Sequence, residues 1–140
     1  MLDISLKPFT PTYFRRRVFG QLWMLALQFL LGMLLNLIGS ESTGIEHTIY
    51  VTALVIHILN AIGLVEGGLF IALKERSRLA WCTAAAVALT SGSGALTVAT
   101  GSDVWSFVMA SGFLASGWLH VMLYIRADRQ VCDAKRQHDA

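Results

Sequence analysis

Four side chains in otherwise apolar stretches have the types that could do chemistry. His57, Asn60 and Glu66 lie in the run Tyr50 to Lys74, YVTALVIHILNAIGLVEGGLFIALK, and His120 lies near the end of the last apolar stretch. An imidazole can ligate iron or carry a proton, and a carboxyl can exchange one. Ionisable groups at membrane depth are costly and by default mark functional sites. Nothing points to covalent catalysis: there is no Gly-x-Ser-x-Gly, phosphate loop or dinucleotide fingerprint, and no catalytic residue is assigned. No metal site is expected either, since no Cys or His spacing matches zinc or copper and His47, Glu46 and Glu41 form only a loose group in an outer loop.

Helical spacing sorts these residues into two sets. His57 and Glu66 are nine residues apart, about 900° of helix rotation, and so project from opposite sides. With span midpoints near Ala61 and Ala115, Glu66 and His120 fall at one depth and His57 about 13 Å away from them along the membrane normal. Two chemistries are therefore weighed against a packing role. The first is a b-type haem with His57 and His120 as candidate axial ligands, in which the neighbouring glycines make room for a macrocycle. The depth offset opposes a shared iron. The second is a proton relay, or a partner contact, formed by Glu66 and His120 with Asn60 on the flank of the same helix.

The elements that must position these groups are readable. Of 140 residues, 55% are hydrophobic and 14% charged, with a net charge of +2, the composition of one small membrane domain. Hydropathy places spans at about 18–39, 48–73, 79–100 and 104–125, between a lead of residues 1–17 and a charged tail of 126–140. Pro8 and Pro11 are expected to hold off helix until the Arg15-Arg16-Arg17 cluster. No cleaved signal peptide is expected, because the lead is polar for too long and lacks an Ala-x-Ala site. Lys and Arg cluster in the lead, at 74–78 and in the tail, which predicts both termini in the cytoplasm. The charge pattern excludes a nucleic-acid partner. Cys82 and Cys132 fall in a span and in the tail, so no disulfide is expected.

Short links make consecutive spans antiparallel, and the fold class is all-α, an up-and-down four-helix bundle in the membrane. Polar and small residues then mark the inward faces. Gln21, Gln28 and Asn36, with Gly32, form one stripe on the first span. The third span, CTAAAVALTSGSGALT, is read as a packing helix. Met109, Gly112, Phe113, Ser116, Gly117 and His120 share a face of the fourth, with Ser106.

The first two spans, LQFLLGMLLNL followed by HILNAIGL, resemble small four-span bacterial membrane proteins of unassigned function that pair a Leu-Gly-x-x-x-Asn-Leu helix with a second-helix histidine. The layout is also similar to half of a haem A synthase, which implies Gln28 and His57 as cofactor-side positions. The resemblance lacks paired histidines at a common depth and carries no activity. The expectation is a non-catalytic subunit or accessory protein of a bacterial plasma-membrane complex, surrounded by lipid and by a partner subunit or further copies of itself. No cofactor is expected on this reading; haem b belongs to its alternative, and a proton-coupled small transporter using Glu66 and His120 is a third.

Overall fold

The computed structural model describes residues 9–139, with side chains through residue 137. The described residues form four helices: α1 (Pro11–Ile38), α2 (Ile45–Glu75), α3 (Arg78–Thr100) and α4 (Asp103–Asp139). All four are long and apolar enough to cross a membrane. Residues 1–8 of the expected lead lie outside the described part.

One helix end differs from the sequence expectation. α1 starts at Pro11, well ahead of residue 18, because a proline in the first turn lacks only an N–H that the helix leaves unpaired there anyway. Pro11 opens the helix rather than delaying it. At the other end, α4 continues without a break through the charged segment expected as a tail.

The connections fix an antiparallel order. Residues 39–44 join α1 to α2, with Gly39 at φ 74° and Gly44 at φ 63° where a side chain would be strained. Only Arg76 and Ser77 separate α2 from α3: Arg76 takes the left-handed conformation, and the Ser77 side chain accepts the Ala80 N–H to cap α3. Gly101 and Ser102 join α3 to α4. Each helix packs against its neighbours in sequence and α4 closes onto α1, while the diagonal pairs α1/α3 and α2/α4 make no close approach. The bundle is a four-membered ring.

Large apolar side chains cover its lateral surface, and a few polar ones share the apolar interior. Leu89, Phe107 and Leu114 are 71%, 73% and 76% exposed on the lateral surface, whereas Gln21, Thr83, Ser93, Ser116 and His120 are buried. A lipid surround suits that distribution, since apolar groups gain little by leaving lipid while polar groups need partners. Four- and three-residue steps keep one seam of each helix inward: Phe14, Val18, Gln21 and Leu25 on α1, and Ser116, His120, Leu123 and Ala127 on α4.

Two apolar clusters result. One, at the end where α1 begins, joins Phe14, Val18, Ile71, Ala72, Ala80, Ala84, Leu123 and Ala127. The other, further along, joins Leu25, Leu64 and Val87, with Met24, Val65 and Phe113 against it. Small residues let the backbones close. A Cβ on Gly63 would lie 2.8 Å from Met24 Cε, and one on Gly67 would overlap the Gln21 amide. α2 thus offers α1 two slots one turn apart. The hydroxyl-rich α3 is self-contained: Thr83, Thr90, Ser93, Thr97 and Thr100 each donate to the carbonyl four residues back, which removes their hydrogen-bond demand from the lipid.

Candidate functional site

Two polar layers cross the bundle, about 10 Å apart along α1, the rise from Gln21 to Gln28. The outer layer joins α1 to α2. Asn60 Nδ2 donates to the Met24 carbonyl at 2.8 Å and to Gln28 Oε1 at 2.7 Å, and Gln28 Nε2 lies 2.9 Å from His57 Nε2. The directions follow from the chemistry of each group. A carbonyl only accepts, so the Asn60 amide must present its nitrogen to Met24 and Gln28 its oxygen to Asn60. The Gln28 amide nitrogen then faces His57 and donates, so His57 Nε2 is the acceptor and the ring proton sits on Nδ1. Only the neutral imidazole fits. His57 Nδ1 is buried with no hydrogen-bond partner among the described residues, and a Cβ on Gly32 would stand 3.5 Å from His57 Cε1.

The inner layer lies between the two apolar clusters. His120 Nδ1 donates to the Ser116 carbonyl at 2.8 Å, which leaves the Nε2 lone pair bare. Ser116 Oγ lies 3.4 Å from Thr90 Oγ1, whose own proton is given to Ala86, so Ser116 is the donor in that link between α3 and α4. On α1, Gln21 Nε2 approaches Met24 Sδ at 3.8 Å, a weak contact, and Gln21 Oε1 is buried without a partner among the described residues, as is His120 Nε2. Thr83, also buried, completes the layer from α3.

The residues singled out in the sequence are thus distributed in three places. Gln28, His57 and Asn60 come together, which groups Asn60 with the histidine rather than with Glu66. His120 sits alone on α4. Glu66 is exposed on the outward side of α2 and forms no hydrogen bond or ion pair among the described residues. Glu66 and His120 are level, as the sequence implies, yet they stand on diagonal helices whose backbones make no close approach. The same diagonal separates His57 from His120. Asn36, expected on the inward stripe, is exposed, because it lies eight residues beyond Gln28 and leaves the seven-residue seam. The layer built on Gln21 and His120 was not read from the sequence as a unit. Its signal was the seam Phe14, Val18, Gln21, Leu25, in which Gln21 is the one polar member.

Two surface grooves, each of about 390 Å³, have no histidine in their linings; one lies at the cytoplasm-facing end expected from the sequence, with Phe9, Glu75 and Gln130, and the other between α3 and α4, with Leu89, Phe107 and Gly112. Among the described residues no three His, Cys, Asp or Glu side chains gather as a metal site. Comparison with known families, with curated proteins and with solved structures returns no match to this chain.

Proposed function

We propose that this chain is a non-catalytic subunit of a bacterial plasma-membrane complex, with both termini cytoplasmic, and that it docks on a partner's membrane helix through the outward face of α2. The observation that carries the reading is Glu66. It stands exposed in the middle of an apolar face formed by Leu59, Ile62, Leu69 and Leu73, which are 64%, 53%, 44% and 41% exposed. Spacings of four and three place Leu59, Ile62, Glu66, Leu69 and Leu73 on one straight seam, the pattern by which one helix reads another, with a single polar position that specifies the partner. A carboxyl left facing hydrocarbon is costly, and a hydrogen-bond donor or cation on a partner helix removes that cost. Among the described residues no hydrogen bond or ion pair reaches Glu66, so the complementary donor is assigned to a neighbouring chain. The Lys and Arg clusters flanking the spans support the cytoplasmic placement of both ends.

Site-specific photo-crosslinking tests the reading. A crosslinker at position 62 or 69 is expected to trap one partner in native membranes and to lose it in Glu66→Leu, while one at position 114 traps none. Equal trapping around the ring, or none, would replace the proposal. Stoichiometric haem in protein purified from haem-replete cells would replace it as well, in favour of the alternative with histidine ligands. Cys132, exposed on the cytoplasmic part of α4, is expected to react with an impermeant maleimide only from the cytoplasmic side.

A further inference from the structure

The inner layer contains a contradiction in hydrogen-bond terms. Gln21 and His120 are 6% and 1% exposed, and each ends in an acceptor, Oε1 and Nε2, with no donor to meet it among the described residues. They lie on adjacent helices at one level. Leu25 packs on Gly117, and the Phe19 ring lies 6.0 Å from that of Tyr124; interpolating between these pairs sets Gln21 within about two residues, or roughly 3 Å, of the height of His120. Two acceptors cannot satisfy each other. A buried acceptor without a donor bears the full cost of its desolvation, and two in one layer point to a species that donates to both.

We propose that Gln21 Oε1 and His120 Nε2 hold a single water molecule, which gives one hydrogen to each. Two such bonds span acceptors about 5 to 6 Å apart, and a buried water needs two or more polar partners. A cation is the poorer occupant. Gln21, Thr83, Ser116 and the neutral His120 ring supply no negative charge, α2 contributes only glycine and apolar side chains to this layer, and an uncompensated charge in an apolar interior is far more costly than a neutral donor. A larger ligand is excluded by Val18, Ile71 and Leu123 on one side and Leu25, Leu64 and Val87 on the other, all in the two apolar clusters. The water adds a third polar tie to the ring. α1 is tied to α2 by Gln28, His57 and Asn60, and α3 to α4 by Thr90 and Ser116; at membrane depth the tie between α1 and α4 runs through the water.

Solid-state NMR on ¹⁵N- and ¹³C-histidine-labelled protein in lipid bilayers tests this. In the wild type, His120 is expected to show a protonated Nδ1, an unprotonated Nε2 shifted by an accepted hydrogen bond, and magnetisation transfer to its ring from a slowly exchanging water. Gln21→Leu is expected to abolish that transfer and return Nε2 to the position of a free lone pair. A dry His120 ring in the wild type overturns the proposal. So does transfer from the Gln21 amide protons instead of water, which would mean the amide is turned over and bonds His120 directly, and so does transfer that persists unchanged in Gln21→Leu. The wild-type measurement stands alone if the variant fails to fold.

Discussion

The outer and inner polar layers use the same residue types, a glutamine on α1 and a histidine on another helix, and differ in how the two meet. In the outer layer Asn60 mediates: its amide binds the Met24 backbone and orients Gln28, which in turn fixes the His57 tautomer. In the inner layer no such residue intervenes, and Gln21 and His120 are held apart as two acceptors. A glutamine and a histidine therefore do not make a bond by proximity. What matters is whether a third group sets which end of the amide faces the ring, and an asparagine at the right step of α2 does this where a glycine at the next layer cannot.

Substitutions can break or sharpen that contrast. The largest effect is expected from Gly67→Ala, whose methyl would occupy the place of the Gln21 amide. Overpacking of this kind predicts a loss of about 2 kcal/mol, read by reversible unfolding in mixed micelles, with the outer layer undisturbed. Asn60→Leu attacks the other side. It removes both amide bonds and should cost about 1.5 kcal/mol, near the upper end for polar contacts between membrane helices. Its signature is release of the His57 tautomer, visible as a second population of ring nitrogen shifts. Gly92→Ala is the control for glycine itself: nothing lies within 4 Å of its added Cβ, so the variant should gain about 0.5 kcal/mol from helix propensity. A loss there would mean that the Gly67 result reports helix flexibility and not the Gln21 slot. Smallest is Arg15→Ala. The Arg15–Asp128 pair spans 3.0 Å between groups 38% and 46% exposed, and a few tenths of a kcal/mol, vanishing at high salt, is the expected cost.

How much of this was readable in advance follows from the kind of information each feature needs. Four spans and their order are properties of hydropathy and link length, and both are local. Gln28 and His57 were named together only through the resemblance of the first two spans; a short connection makes α1 and α2 adjacent, but it is the structure that pairs the two side chains. The inner layer required more. Span midpoints placed Glu66 and His120 at one height correctly, but height does not say which helices touch. Ring order put α2 and α4 on a diagonal and turned Glu66 outward. Gln21 was recognisable as polar and inward, yet its pairing with His120 depends on the register between α1 and α4, the first and last helices, which no short loop dictates. That register is set by contacts such as Leu25 on Gly117 and Phe29 on Phe113, whose rings lie 5.5 Å apart, and these cannot be inferred from either helix alone.

The two-residue turn between α2 and α3 also governs how the chain enters its membrane. Arg76 and Ser77 leave no slack, so the second and third helices cannot settle independently and later find each other. They are expected to insert as a closed hairpin, with Gly68 facing Ala84, where a Cβ on the glycine would lie 3.6 Å from the alanine Cα. Contacts so close in sequence form early. On that expectation the hairpin is the template for α1 and α4, which come from opposite ends of the chain, and the closure that brings Gln21 and His120 to one height follows it.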